Sequence, residues 1–169
     1  MEILNNYTYD NCHTLSSLFF ENKTMFGRIV DIYDGDTCTI VLLCGISNIP
    51  IKFNCRIMHI DTAEMKSKNL LLKSKAIQAR NRLFNLITNK FNDNNFELEH
   101  NDIKKILNNE CFIVNIETYG LDLYGRLLMD IIINDNKVSS ILIEEKLAYN
   151  YEGKTKLTEQ QQLEFFNLI

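Results

Sequence analysis

The sequence lacks the features that mark several large protein classes. No apolar run approaches the roughly 20 residues that a membrane-spanning helix needs, and no basic stretch followed by an apolar one marks a secretory signal. The five cysteines are odd in number and irregularly spaced, which argues against a disulfide framework or a zinc site. We therefore expect an intracellular protein with reduced cysteines, without a membrane partner, and nothing indicates an obligate protein partner.

An excess of positive charge is also absent. The chain carries 18 basic and 22 acidic residues, for a net charge of −4, which argues against a protein that coats nucleic acid. The basic residues are nevertheless unevenly distributed, because residues 66–90 contain several lysines and arginines and no acidic residue. Such a segment can steer a polyanion, although a solvated helix face has the same pattern.

The hydrophobic pattern predicts one α+β domain. No repeat, linker or low-complexity tract divides residues 25–169, which follow an N-terminal extension, residues 1–24. Runs rich in β-branched residues predict strands, and spacings of three and four predict helices. The predicted strands are 25–33, 37–44, 51–60, 111–119 and 126–134, and the predicted helices are 66–90, 137–147 and 157–168. We expect these to form a five-stranded β-barrel with about three helices and a surface insertion at 91–110, including a helical turn at 102–107.

Carboxylates stand at the ends of two predicted strands. Asp34 and Asp36 belong to an Asp-Gly-Asp-Thr turn, which a plain hairpin also explains. Arg56 lies in an apolar run that ends at Asp61 and Glu64. An internal ion pair of Arg56 with Asp61 or Glu64 is the simple interpretation, since a buried arginine needs a partner. Arg56 and Asp61 are an odd number of residues apart, so in a regular strand their side chains would point to opposite faces. The chain must therefore bulge or turn near residues 59–60 if they share a site.

Two further segments combine basic and aromatic residues. The turn at 122–126 offers Tyr124 and Arg126, and a loop near the C-terminus offers Tyr149, Tyr151 and residues 153–156. Each is also explained as a plain turn or a capped loop. Arginine binds phosphate oxygens in pairs and tyrosine stacks on bases, so carboxylates, arginines and tyrosines at strand ends together favour phosphodiester hydrolysis.

The order of these motifs resembles the staphylococcal nuclease family. The motifs are Asp-Gly-Asp-Thr at 34–37, an arginine followed by Asp-Thr-x-Glu at 56–64, a helix, and Asp-x-Tyr-Gly-Arg at 122–126. The resemblance covers most of the chain, from about residue 26 to 156. It implies an OB-fold five-stranded barrel with three helices. It also implies a calcium-dependent endonuclease that cuts DNA and RNA with little sequence preference and leaves 3′-phosphates.

The resemblance also implies residue roles. It places the metal at the Asp36 and Asp61 carboxylates and the Thr62 carbonyl, with Ca²⁺ as the ion and Mg²⁺ or Mn²⁺ as alternatives. It implies that Arg56 and Arg126 bind the phosphate and that Glu64 is the general base. It also implies that Tyr124 and Tyr151 contact the substrate and that Asp34 supports Asp36.

Two departures from the family pattern carry expectations. Ala63 stands where the family usually has proline, which predicts a less rigid loop ahead of Glu64. Leu123 stands where a basic residue is common. The alternatives to an enzyme are a catalytically weak or inactive module of the same fold that binds nucleic acid or protein, and a structural domain with internal ion pairs alone.

Overall fold

The computed structural model describes residues 19–45, 48–90 and 98–169. Residues 1–18 of the predicted N-terminal extension and residues 91–97 of the predicted insertion lie outside the described residues. The elements, in chain order, are β1 (Lys23–Ile32), β2 (Thr37–Cys44), β3 (Ile49–Ile57), β4 (Ile60–Thr62), α1 (Leu70–Thr88), α2 (His100–Asn109), β5 (Ile113–Leu121), β6 (Leu127–Ile133), β7 (Asn136–Lys137), α3 (Val138–Glu144), β8 (Ala148–Asn150) and α4 (Glu159–Phe165).

Five of the strands close into a barrel. β1 pairs antiparallel with β2 and β5, β2 pairs antiparallel with β3, and β5 pairs antiparallel with β6. A parallel pairing of β3 with β6 closes the ring. The fold is thus a closed, mixed five-stranded β-barrel with four helices among the described residues, an α+β architecture of the OB-fold type, as the sequence predicts.

Alternating apolar residues fill the barrel. Strand β2 buries Cys38, Ile40 and Leu42 while its other residues are more accessible, the period of a half-buried strand. A bulge in β1 shifts the register between Ile29 and Asp31. The extra residue allows Ile29 and Ile32, which are three apart, both to lie in the core.

Helix α1 covers one side of this core. The Asn69 side chain accepts hydrogen bonds from the amides of Leu71 and Leu72 and so caps its first turn. The predicted apolar stripe is confirmed, because Leu72, Ala76, Ala79 and Leu83 are buried. Residues 66–69 precede the helix in turns, since the cap at Asn69 sets its beginning.

Helix α2 differs from the sequence prediction. Residues 102–107 were expected as a helical turn within a surface insertion, but α2 covers His100–Asn109 and packs on β1. Ile103 and Leu107 are fully buried in the core. Their spacing of four places both on one face of the helix, so this part of the segment belongs to the core. The acidic and Asn-rich composition around it hid that short apolar stripe.

The C-terminal part returns to the barrel through β8, which pairs antiparallel with β4. A smaller apolar cluster forms there between the start of α1 and α4 and includes Ala63, Leu72, Tyr149 and Phe166. The short strands β4 and β8 were not predicted, since three residues give no periodic signal. No helix of the described residues is both long and apolar enough to cross a membrane.

Candidate functional site

A cavity of about 240 Å³ at the barrel rim is lined by most of the predicted site residues, and we term it the carboxylate cavity. Its lining comes from the β1–β2 turn, β3, β4 and the segment after it, the start of β6, and the loop before α4. The lining residues are Tyr33, Asp34, Asp36, Thr37, Arg56, Asp61, Thr62, Glu64, Arg126 and Lys156. Residues far apart in sequence therefore share one space, whereas Tyr124 and Tyr151 do not line it.

Arg56 links the two buried aspartates of this cavity. Its Nη2 donates to Asp61 Oδ1 at 2.6 Å, and its Nη1 lies 3.0 Å from Asp36 Oδ2. The side chains of Asp36 and Asp61 are almost fully buried. Burial raises the pKa of the Asp36 carboxyl well above its usual value, neighbouring Asp34 adds to the rise, and Arg56 opposes it.

Asp61 reaches Arg56 because the chain reverses after β3. His59 has a left-handed backbone with φ of 65°, and its carbonyl accepts from the Tyr151 amide at 2.9 Å. The turn predicted near residues 59–60 is therefore confirmed. Strand β4 then aligns Asp61 with Tyr149 of β8, and the Tyr149 hydroxyl donates to Asp61 Oδ2.

The turn between β1 and β2 holds Asp36 against the helix. The Asp36 amide lies 3.3 Å from Asp34 Oδ1, and Thr37 Oγ1 donates to Asp36 Oδ1 at 3.0 Å. A Cβ atom on Gly35 would come within 2.6 Å of Ala79 Cβ and 2.9 Å of Thr62 Cγ2. Glycine is thus required by close packing on α1 and β4, and the Asp34 side chain stabilises the turn through the Asp36 amide.

Lys156 occupies a position that the sequence prediction did not assign. Its Nζ lies 2.7 Å from Glu64 Oε1 and 3.0 Å from Asp61 Oδ1. From the sequence, the loop at 153–156 was either a capped loop or a segment suited to a base and its phosphate. In the structure Lys156 pairs with two carboxylates of the cavity. No local spacing signals this contact, because Lys156 and Glu64 lie 92 residues apart.

Arg126 enters the cavity from the turn between β5 and β6. Asp122 Oδ2 accepts from Arg126 Nε at 2.7 Å, while Asp122 Oδ1 accepts from the amides of Tyr124 and Arg126. Gly125 supplies the left-handed backbone that the turn requires, with φ of 76°. Arg126 Nη1 and Nη2 form no hydrogen bond with any of the described residues, so its fork is available to a ligand.

A second cavity of about 310 Å³, the tyrosine cavity, adjoins the first. Arg56 and Arg126 line both cavities, and Tyr124 and Tyr151 line the second. The guanidinium carbon of Arg56 lies 5.5 Å from the ring centre of Tyr151, and that of Arg126 lies 5.7 Å from that of Tyr124. The tyrosine ring of Tyr124 is 85% exposed, so this space can accept an aromatic base beside the two arginines.

The carboxylate oxygens that line the carboxylate cavity are the kind of ligand that binds a hard divalent ion. Asp36 Oδ2 is buried and has no hydrogen-bond donor; Arg56 Nη1 lies close to it, but as an ion pair without a directed hydrogen bond. Calcium and magnesium prefer such oxygen ligands. Asp61 is bound to Arg56, Lys156 and Tyr149, and within 19–45, 48–90 and 98–169 no three ligand side chains cluster around one point. An ion at Asp61 would therefore compete with the groups that hold it here, and Lys156 is the more exposed of the two cations among them.

Comparison with known proteins identifies no relative: no family model matches the chain, and no curated protein matches it.

Proposed function

We propose that this protein is a metal-dependent, sugar-non-specific endonuclease of the staphylococcal nuclease type that hydrolyses phosphodiester bonds of DNA and RNA. The observation that carries the proposal is a shared space. The carboxylates of Asp36, Asp61 and Glu64 and the guanidinium groups of Arg56 and Arg126 line one cavity. Acidic groups suit a cation and a water molecule, and guanidinium groups suit a phosphate.

Arg56 and Arg126 bind the scissile phosphate in this proposal. Both line the carboxylate cavity and the tyrosine cavity, so a nucleotide with its base near Tyr124 and Tyr151 presents its phosphate to both guanidinium groups. The fork of Arg126 binds phosphate oxygens. Arg56, which also holds Asp36 and Asp61, adds positive charge beside the five-coordinate phosphorus.

Glu64 accepts the proton of the attacking water. Its side chain is 57% exposed, and Lys156 is its ion-pair partner. An accessible carboxylate that lines the same cavity as the arginines can draw a proton from water beside the phosphate. The bond between water oxygen and phosphorus forms as the bond to the 5′-oxygen breaks. The leaving 5′-oxygen takes a proton from solvent, so the products are a 5′-hydroxyl and a 3′-phosphate.

Asp36, Asp61 and the Thr62 carbonyl would hold the divalent ion, with Ca²⁺ preferred and Mg²⁺ or Mn²⁺ as alternatives. The buried Asp36 oxygen without a donor supports this assignment. When bound, the ion supplies positive charge that neutralises the phosphate. Asp34 supports Asp36 through the backbone of the turn.

A digestion assay tests the proposal. Purified protein is incubated with single-stranded DNA or RNA in Ca²⁺, Mg²⁺ or Mn²⁺, and with a chelator. We expect cleavage that the chelator abolishes, and a loss of roughly 10²- to 10⁴-fold for Glu64→Gln, the usual contribution of a general base. Glu144→Gln is the matched control, because Glu144 is exposed on α3 and lines neither cavity. A Glu64→Gln protein as active as the control would refute the role of Glu64.

A nucleic-acid-binding module without catalysis is the second candidate function. It is favoured by the internal neutralisation of the cavity, in which Arg56 and Lys156 already pair with Asp36, Asp61 and Glu64. Such a module binds single-stranded nucleic acid and leaves it intact under every metal condition. A structural domain with internal ion pairs alone binds neither nucleic acid nor calcium, so the same assay with a binding measurement separates all three.

A further inference from the structure

Several lysines that follow Glu64 in the chain have no salt-bridge partner among the described residues. Lys66, Lys68 and Lys73 make no salt bridge with any residue of the described ranges, 19–45, 48–90 and 98–169. Five other lysines are paired with carboxylates, namely Lys90, Lys104, Lys105, Lys137 and Lys156. The remaining lysines without a salt bridge to the described residues, among them Lys23 and Lys52, do not line this part of the surface. In a chain with a net charge of −4, this leaves uncompensated positive charge beside the carboxylate cavity.

Part of this charge surrounds a third cavity of about 410 Å³, which we term the basic cavity. Lys66, Lys73 and Arg80 line it, with Glu99 as its acidic residue. His100 also lines it, but its Nε2 lies 2.7 Å from Asp31 Oδ1, so His100 is already paired. The lining therefore favours an anion.

Arg80 gives this cavity a buried donor. Its residue is only 5% exposed, and its Nη2 donates to the Leu98 carbonyl. Burial lowers the pKa of the Arg80 side chain, and Glu99 opposes that shift. The buried Nε of Arg80 has no hydrogen-bond partner among the described residues. The guanidinium charge is thus held beside the cavity by a neutral carbonyl and without a salt bridge to the described residues, which favours an anion there.

The basic cavity adjoins the carboxylate cavity through Tyr33, which lines both. The tyrosine cavity adjoins the carboxylate cavity through Arg56 and Arg126 instead, and it shares no lining residue with the basic cavity. The carboxylate cavity therefore lies between the other two. A polynucleotide that crosses the carboxylate cavity from the tyrosine cavity reaches Tyr33 and then Lys66, Lys73 and Arg80.

Tyr33 offers a platform for a base at this junction. Its residue is 42% exposed, and its ring packs edge-on against His100, with ring centres 5.8 Å apart. His100 is held in turn by Asp31. His100 contacts one side of the Tyr33 side chain, and the exposed remainder is accessible for stacking, which is how aromatic side chains bind unpaired bases.

We propose that the basic cavity and Tyr33 form a second nucleotide subsite, which binds the next phosphate and base of a single-stranded polynucleotide beyond the phosphate at Arg56 and Arg126. Lys66, Lys73 and Arg80 bind the phosphate, and Tyr33 stacks on the base. This subsite rests on the proposed function, since it extends the same substrate past the same cavity. The substrate is single-stranded, because a base paired within a duplex does not offer its face to Tyr33.

Binding of fluorescent oligonucleotides in a chelating buffer tests the subsite without cleavage. The probes are a two-nucleotide and a twelve-nucleotide oligothymidylate, followed by fluorescence anisotropy over a range of salt concentrations. We expect the double variant Lys66→Gln and Lys73→Gln to weaken binding of the longer probe by about tenfold or more. The slope of log affinity against log salt concentration should decrease by the amount that one to two lost phosphate contacts predict. Binding of the shorter probe should change less than about twofold.

The matched control removes the same charge elsewhere. Lys23 and Lys52 are exposed on β1 and β3 and lack a salt bridge with the described residues, so Lys23→Gln with Lys52→Gln gives the same net charge. Equal losses in both double variants would overturn the subsite and indicate a general charge effect. No binding of the longer probe by the natural protein would overturn it as well.

Variants at Tyr33 test the base platform separately. Tyr33→Leu should weaken binding of the longer probe by about fivefold or more, the usual effect of losing one stacked base, and Tyr33→Phe should retain it. A Tyr33→Leu protein that binds as tightly as Tyr33→Phe would overturn the role of the ring.

The outcome is independent of the digestion assay. Selective weakening of the longer probe together with no cleavage under any metal condition would support the subsite and contradict the proposed endonuclease. Cleavage by the natural protein together with equal losses in the two lysine double variants would support the endonuclease and contradict the subsite.

Discussion

Arg56 and Arg126 line the same cavity, but the chain holds them in opposite ways. Arg56 lies on a barrel strand, its side chain is 14% exposed, and its partners Asp36 and Asp61 come from other segments. Arg126 is 32% exposed and pairs with Asp122, four residues earlier in the same turn. One half of the site is therefore a product of the closed barrel, whereas the other half is built by a single turn.

This contrast has a consequence for stability. The half around Arg56 holds charges away from water, where each depends on its partner. The half around Arg126 is near the surface, where solvent screens an ion pair. Substitutions at the first half should therefore change folding strongly, while substitutions at the second should change folding little and act, if the proposed endonuclease is correct, on cleavage.

The largest expected difference in stability is between variants that remove Arg56 and variants that remove Arg126. Arg56→Gln leaves Asp36 and Asp61 buried without their shared cation and should lower the free energy of unfolding by about 3–5 kcal/mol. Arg126→Gln removes a partly exposed pair and should cost about 1 kcal/mol or less. Urea denaturation followed by circular dichroism measures both. Equal losses would show that the barrel does not isolate the Arg56 half from solvent.

Asp36→Asn sharpens the comparison within the buried half. The folded state raises the pKa of Asp36 above the usual 3.8, chiefly through burial, so the folded chain keeps this proton at higher pH than the unfolded chain does. The stability that this group contributes is thus fully present below the unfolded pKa and is lost as the pH rises. Asp36→Asn should therefore stabilise the fold near pH 7, by about 1–3 kcal/mol for relief of a buried unsatisfied group.

The pH dependence provides the check on that substitution. The gain in unfolding free energy should shrink as the pH is lowered towards 4, where Asp36 becomes protonated in the unfolded chain as well. Asp102→Asn is a suitable control, because Asp102 is exposed on α2 and pairs with Lys105 at the surface. If Asp36→Asn raises the unfolding free energy equally near pH 7 and near pH 4, the stabilisation does not come from removing a buried charged carboxylate.

Lys156→Met carries the smallest expected effect. Lys156 contacts Asp61 and Glu64 where a divalent ion would bind, so its removal should tighten Ca²⁺ binding by about fivefold, a typical worth of a partly exposed ion pair. Isothermal titration calorimetry measures this without any enzymatic readout. Lys154→Met is the control, since Lys154 makes no salt bridge with the described residues. Unchanged Ca²⁺ binding would show that Lys156 does not compete with the ion.

Local sequence patterns predicted most of the barrel. The hairpin around Asp34–Asp36 and the strands β1, β2, β5 and β6 were predicted with boundaries within about two residues. The turn near His59 was predicted from the odd spacing of Arg56 and Asp61 along the strand. These features succeed because strand alternation and turn residues act over a few neighbouring positions.

Features that depend on distant contacts were not predicted. Helix α2 packs into the core through Ile103 and Leu107, although its surroundings read as a surface segment. The pairing of β4 with β8 brings Tyr149 onto Asp61, and a loop before α4 brings Lys156 onto Glu64. No short-range period encodes a contact between segments some 90 residues apart, since only burial and closure of the chain bring them together.

The amino-acid sequence by itself determined the strand and helix order, the two turns that carry acidic residues, and the types of side chain at the cavity. Those properties follow from backbone geometry and apolar spacing, which neighbouring residues specify. The tertiary structure alone decided that Arg56 pairs with Asp36 in addition to Asp61, that Lys156 pairs with Glu64, and that the basic cavity adjoins the carboxylate cavity through Tyr33. These depend on barrel closure, because electrostatic partners are chosen by distance in space and by exclusion of water.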